Sequence, residues 1–465
     1  MEDKGPIFRE ITINGVRFKN RILRSSMGGR TSYYDGKVTP AWKNFELRFA
    51  RHGIAGIISA TIDVDDNRLS PLEYPKITDS TLSEALRGGV EAVQALDCRY
   101  IMQLGDPGGH TQTSLFPQKE DGESASSYFD LLYGYRNRTS AMTVQQIKDE
   151  VGKFRDAAGR VKKIGCDGLE ITASKGYIIH QFLNPTTNRR TDAYGGSVDN
   201  RFQLLREIVQ EVRNEVGRDF LFGVRLSAQD YNYLPLNIRL PPVWPPRHYF
   251  MGNTLKETLH YGKKLKALGV DYLHIDSGFG FIGPKGNPGK YPLESIRLFA
   301  NATRHLSAKA WLRAAFINAL PTPIARAVLG FGWKYVPPDA RFAAHFKKEV
   351  GLHVIANGGF QYRDTMEDAL QDHVVTRDGI EKNVPKCDMI AIARPLLANP
   401  DLLEQIDKDR KKNSPDNPCS WCNHCCSRTA VLPLGCYDIS RFKRFANPQK
   451  EMEAEILRWS ADSTP

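Results

Sequence analysis

Eight short apolar runs, each followed by a stretch with helical periodicity, limit what this chain can become. They are NRILRSS (20–26), GIISA (56–60), RYIMQLG (99–105), GLEIT (168–172), LFGVRLS (221–227), YLHIDSG (272–278), HVIANGG (353–359) and DMIAIAR (388–394). Most are apolar at consecutive positions, as in strands covered on both faces. Amphipathic stretches such as TVQQIKDEVGKFRDAAGRVKKIG (143–165) lie between them. Eight β-then-α units predict an α/β fold, a (β/α)8 TIM barrel, rather than an open sheet. Two connections exceed a plain crossover: about 228–255, rich in Pro and aromatics, and about 279–340. Both follow strand C-termini, where barrel enzymes build their sites, and read either as a substrate lid or as structural extensions. The barrel is assigned residues 1–412 and a Cys-rich C-terminal extension residues 413–465.

Composition narrows the function. The net charge is +11 over 465 residues, but Lys and Arg are scattered, and no basic run alternates with aromatics. That argues against a nucleic-acid interface and leaves a mild pull on anionic ligands such as phosphates. No run reaches the roughly 18 apolar residues of a membrane span. The N-terminal MEDKGPIFRE is charged and lacks an apolar signal core, so a cytoplasmic protein acting on a small molecule is expected, with a homo-oligomer open. Of eight cysteines, Cys98, Cys166 and Cys387 are isolated beside or within strands and read as small buried residues. The other five crowd into 419–436, unlike a secreted disulfide scaffold.

The strand C-termini point to one face. They bring there Ser26 and Met27, Ala60, Gln103, Thr172 with Lys175 and Tyr177, Arg225, Gly358 and Gly359, and Ala393 and Arg394. Loops after the last two barrel strands commonly cradle a phosphate on backbone N–H groups, and Arg394 adds a charge-assisted bond. A tight turn accounts for Gly358-Gly359 alone; the pairing with Ala393-Arg394 favours phosphate. Gln103 and Arg225 are polar groups at the ends of apolar strands, where burial needs a partner. An amide and a guanidinium aimed at one place suit the edge of a flavin ring, whose N1 region gathers negative charge on reduction. FMN is therefore the expected cofactor.

The motifs FKNRILRSSM, QLG, CDGLEI, GYIIHQFLNPTTNRRTDAYGGSVDNR, GVRLS, ANGGF and DMIAIARPLLANPDL follow one another between about residues 6 and 405. In this the chain resembles the old yellow enzyme family of NADH:flavin oxidoreductases. The resemblance implies an FMN-binding barrel that takes hydride from NADH or NADPH and passes it to an activated C=C bond, an ene-reductase. Carried over, Ser26, Met27 and Ala60 lie beside the ring, Gln103 at its pyrimidine edge, Arg225 near N1, and Gly359 and Arg394 at the phosphate. Tyr177 matches the family's proton donor. Arg190 and Asp192 can pair within the NRRTDAYGGS loop, and Gly195-Gly196 permits its turn.

Three departures bear on the substrate. Where the family grips a carbonyl oxygen with a His-x-x-His or His-x-x-Asn pair, this chain has Thr172-Ala-Ser-Lys175. The ammonium can stabilise a developing enolate or bind a carboxylate or phosphate. The histidine of the third-strand motif is Asp106, and the position before Met27, often Pro, is Ser26.

The extension carries Cys419-x2-Cys422-x2-Cys425-Cys426 and then Cys436. Four thiolates so spaced can hold a 4Fe–4S cluster or Zn2+. The tail resembles that of the 2,4-dienoyl-CoA reductase and trimethylamine dehydrogenase branch, which implies an iron–sulfur site with either Cys425 or Cys426 as third ligand. A cluster, Zn2+ and no metal stand as alternatives. So do two other functions: an FMN-dependent dehydrogenase that oxidises an amine or alcohol and exports electrons through the tail, and a flavin-binding barrel without redox catalysis.

Overall fold

The computed structural model of the chain describes residues 5–68, 73–110, 122–127, 139–230, 251–278, 292–305, 307–328, 340–377, 380–409, 411–429 and 431–459. The eight runs form one closed barrel: Ile22–Arg24, Gly56–Asp63, Arg99–Gly105, Gly168–Ala173, Leu221–Ser227, Tyr272–Asp276, His353–Asn357 and Met389–Ile392. Every neighbour pair is parallel, and the last strand pairs with the first. The second strand shifts register between Ile58 and Thr61. Such an irregularity re-aims side chains where a strand meets a site.

The helices behave as their sequences require. Val144–Lys163 opens on a capping box between Thr143 and Gln146 and buries Ile147, Val151, Phe154, Ala158 and Val161. Its last turn carries Arg160, Lys162 and Lys163, which complement the helix dipole. Cys98, Cys166 and Cys387 are buried, and burial pushes the Cys98 thiol up to about 12.

The strand starts are sealed by a hairpin, Ile11–Ile13 with Val16–Phe18, that the apolar pattern did not announce. Its Ile13 and Phe18 pack with Leu221, Tyr272 and Met389, the first residues of three barrel strands. A second hairpin, Asp372–Arg377 with Ile380–Pro385, precedes the last strand.

Most of the first long connection, 231–250, lies outside the described residues, as do 279–291 and 329–339 of the second. The rest of the second forms helices Leu293–Thr303, Ala308–Ala319 and Thr322–Val328. The first of these braces the Cys-rich segment: His424 Nδ1 lies 2.9 Å from Ser295 Oγ, and Arg428 Nε donates to the same oxygen at 3.0 Å. The extension folds onto the barrel elsewhere too. Trp459 stacks edge-on against Phe45 at 5.1 Å, and Cys419 N donates to Gln361 Oε1 at 2.9 Å.

Candidate active site

An open cleft with a cavity volume of about 170 Å³ lies at the strand C-termini. Ser26 and Met27 line it from the first strand, Gln103 from the third, Lys175 and Tyr177 from the fourth, and Arg225 from the fifth. Gly358, Gly359, Ala393 and Arg394 complete it from the last two. The structure therefore brings ten of the twelve expected barrel residues to one cavity. Ala60 and Thr172 sit behind it. A Cβ on Gly28 would come within 2.5 Å of Ala60 Cβ, so Ala60 underlies the loop that follows Met27. Thr172 is 1% exposed, with its methyl against Gly105.

Beneath the cleft the barrel interior is polar. Glu170 accepts from Gln103 Nε2 at 2.6 Å and Tyr272 OH at 3.1 Å, and His274 Nδ1 lies 3.1 Å away. Burial raises the Glu170 pKa, but the His274 and Arg225 charges and these bonds hold it below the usual range. Gln103 Oε1 accepts from Ser26 Oγ at 3.0 Å and Thr61 Oγ1 at 2.9 Å. The amide is thus fixed in orientation, with one N–H left over. Gly223 is obligatory here, because a Cβ would lie 2.0 Å from the Tyr272 ring.

One carboxylate serves two cations. Asp276 Oδ2 takes Arg225 Nε at 2.9 Å and Nη2 at 2.8 Å, and lies 3.5 Å from Lys175 Nζ, which donates to Ser277 O at 2.8 Å. Burial raises the Asp276 pKa, but Lys175 and Arg225 outweigh it, so the group is ionised. Two positive charges against one negative leave this corner at +1. Sequence reasoning missed Glu170, His274 and Asp276. A charged residue within an apolar strand run was the available signal.

Lys175 and Gly176 are left-handed, with φ 57° and 82°. That turn is held from behind: Gly176 N donates to His180 Nδ1 at 3.0 Å, so the ring proton sits on Nε2 and bonds Asp230 at 2.9 Å. Asp230 also accepts from Asn184 and Asn253. The result is that Tyr177 stands at the cleft with its hydroxyl 3.3 Å from that of Tyr74, another cleft residue the sequence did not reveal. Burial, then Tyr74, then Asp63 push the Tyr177 phenol well above its ordinary value. The rest of the loop is scaffold: Arg190 pairs with Asp192 at 2.6 Å and also donates to Ala125 O and Met142 O.

Asp106, where the resemblance implies histidine, belongs to a buried charge network. Arg68 lies 2.7 Å from Asp106, 3.1 Å from Glu150 and 3.7 Å from Asp65, and Lys153 closes on Asp65. Ile178 N donates to Asp106 O at 2.9 Å, so the network anchors the Tyr177 segment. Burial, then the Asp106 charge, raise the Glu150 pKa to about 7.

The cysteine segment builds a wall of the cleft. Trp421, Cys425, Cys426, Thr429 and Leu434 line it, and a Cβ on Gly29 would come within 2.2 Å of Thr429 Cγ2. A second, much smaller cavity, of about 10 Å³, is lined by Cys419, Cys422, Cys425 and Cys436. Trp421 and Asn423 bracket Cys422 with left-handed φ values of 58°, a cost of order 1–2 kcal/mol each for residues with a Cβ. Arg394 lines both cavities, stacks on Trp421 with 4.9 Å to the ring centroid, and donates to Asn423 Oδ1.

The barrel cleft suits FMN. Arg225 Nη1 makes no hydrogen bond among the described residues, Gln103 retains one N–H, and Gly358 and Gly359, at φ 111° and 79°, turn the chain at the cleft wall that Arg394 also lines. The profile of the NADH:flavin oxidoreductase / NADH oxidase family matches residues 6–239. An NADPH dehydrogenase of Halalkalibacterium halodurans is 34% identical over 307 residues, covering 66% of this chain and 81% of that protein. An NADH oxidase of Thermoanaerobacter brockii is 28% identical over 58% of this chain but only 39% of its own length. A 2-naphthoyl-CoA reductase complexed with 2-naphthoyl-CoA superposes with a TM-score of 0.70 at 19% identity, covering 93% of this chain and 56% of that one. Morphinone reductase superposes at 0.61, with 19% identity, 88% of this chain and 92% of that one. With the flavin cleft and the profile match in agreement, the chain belongs to the NADH:flavin oxidoreductase / NADH oxidase family, FMN-dependent enzymes that draw on NAD(P)H.

Proposed function

We propose that this flavin oxidoreductase is an ene-reductase acting on an α,β-unsaturated carbonyl compound. Bound FMN supplies hydride transfer from NAD(P)H to the substrate. Gln103 and Arg225 hold the ring, and Gly358, Gly359 and Arg394 hold the phosphate. The observation that carries the reading is Tyr177. Its phenol faces the same cleft as the +1 corner made by Arg225, Lys175 and Asp276. That corner favours a substrate oxygen that becomes negative as hydride arrives. Tyr177 protonates the carbon next to the one that receives hydride, and its raised pKa keeps it protonated until then. Thr172, behind the cleft, supports the strand end that presents Lys175.

Stopped-flow measurement of the two half-reactions tests this. Tyr177→Phe should leave reduction by NAD(P)H nearly unchanged and slow the enone-dependent step by about 100-fold or more. An equal effect on both would sink the role.

A specific observation also favours metal in the tail. Cys419, Cys422, Cys425 and Cys436 share one small cavity, while Cys426 faces the flavin cleft as well as adjoining Cys425. Tetrahedral Zn–S bonds of about 2.3 Å would put sulfurs about 3.8 Å apart. Among the described residues, no three of these thiols lie within 4.8 Å of one another. That spacing argues against tetrahedral Zn2+ and leaves a 4Fe–4S cluster, with Cys425 as the third ligand, as the metal reading beside a tail without metal. Electron export from an amine or alcohol would use that site, so the dehydrogenase reading stands second.

A further inference from the structure

We infer that Tyr74 is a relay residue that positions and replenishes the Tyr177 proton; this rests on Tyr177 being the donor. Tyr74 is 6% exposed, lines the cleft, and its hydroxyl lies 3.3 Å from that of Tyr177. The ring is held on two sides. A Cβ on Gly28 would come within 3.0 Å of it, so only glycine there leaves it room. The chain beside it is tied to the second strand by Asp63 N donating to Pro75 O at 2.8 Å and Ile77 N to Asp63 O at 3.1 Å. A phenol packed this firmly against a proton donor does more than fill space.

The geometry sets the sequence of bonds. In the resting arrangement the Tyr177 O–H donates to the Tyr74 oxygen, away from any substrate. To act, the pair reverses: Tyr74 O–H donates to the Tyr177 oxygen, and the Tyr177 proton turns to the cleft. The Tyr177 O–H bond breaks as the substrate C–H bond forms. The Tyr74 proton passes to the Tyr177 oxygen, and Tyr74 takes a proton from cleft water. Both phenol oxygens end as they began, the water leaves as hydroxide to solvent, and no oxidant or reductant is consumed. Without Tyr74, a Tyr177 phenolate would be left with the Thr61 hydroxyl against burial and the nearby Asp63 charge, which together outweigh it.

The test uses the FMN-loaded full chain with 2-cyclohexenone. The enone-dependent half-reaction is followed in mixtures of light and heavy water. The wild type should give a curved proton inventory, with two protons in motion. Tyr74→Phe, which keeps the ring, should slow this step about 10- to 100-fold and give a linear inventory. Its NAD(P)H half-reaction and its FMN affinity, read by flavin fluorescence, should stay within about twofold. A linear inventory in the wild type, or an unchanged rate in Tyr74→Phe, overturns the relay, and so does a lost FMN affinity, which would assign Tyr74 to the cofactor seat. If Tyr177→Phe is slow and Tyr74→Phe is not, the relay alone falls. If Tyr177→Phe reacts normally, the donor reading falls and takes the relay with it.

Discussion

Glu150→Gln isolates one proton of the buried network around Arg68. The carboxyl titrates near 4.5 in an unfolded chain and at about 7 in the folded one, raised first by burial and then by Asp106. A raised acid binds its proton more tightly when folded. Its stabilising contribution is complete below pH 4.5 and is lost as pH climbs through 7. At 1.36 kcal/mol per pH unit, the span is worth about 3 kcal/mol. Unfolding entropy of about 2.1 cal/mol/K per residue gives about 1 kcal/mol/K for 465 residues, so the effect is about 3 °C in Tm. Gln keeps an oxygen for Arg68, which lies 3.1 Å from Glu150, and carries no titrating proton. Melting curves at a fixed scan rate should be taken from pH 5 to pH 8. The Tm of the variant relative to wild type should rise by about 3 °C across that range. Asp106 is raised too, first by burial, and its contribution has the same sign. Parallel pH profiles for the two proteins would refute the argument, because they would mean that Glu150 stays ionised beside Arg68 throughout.

Two further outcomes are expected. Lys175→Met takes the Asp276 corner from +1 to neutral. It should lower the flavin reduction potential, slow the enone-dependent step about 100-fold, and cost about 2 kcal/mol through loss of the bonds to Asp276 and Ser277; an unchanged potential and rate would assign Lys175 to the turn alone. Cys436→Ser should abolish iron binding after anaerobic reconstitution while Cys426→Ser retains it, read by iron content and absorption; iron retained in Cys436→Ser would remove that residue from the ligand set.

The fold was legible because it lies in local pattern. Eight apolar runs with helical intervals admit few closures, and each run became a barrel strand. The site was partly legible for the same reason: Gln103, Arg225, Tyr177 and the glycine pair occupy strand ends, and strand ends share a face. What stayed hidden depends on contacts distant in sequence. Asp276 matters because it meets Arg225, 51 residues away, and Lys175, about a hundred away. Tyr74 lies in no motif and gains meaning only beside Tyr177, 103 residues on. The closing hairpin Ile11–Ile13 with Val16–Phe18 has strands of three residues, too short to show alternation. The cysteine spacing left Cys425 and Cys426 equivalent; in space, of the two, only Cys425 lines the small cavity, while both reach the flavin cleft.

The wall that Trp421, Cys426, Thr429 and Leu434 add to the flavin cleft has a consequence for assembly in time. A ribosome releases the last barrel strand, Met389–Ile392, before any of that wall exists. A nascent barrel would therefore present a wider cleft, bounded by its strand ends and lacking this wall. Only when Trp421, Thr429 and Leu434 fold back, with Arg394 caught between Trp421 and Asn423, does the cleft gain this wall. That wall is therefore the last part of the cleft to form during synthesis, and a chain cut short before it would offer flavin the barrel's own strand ends alone.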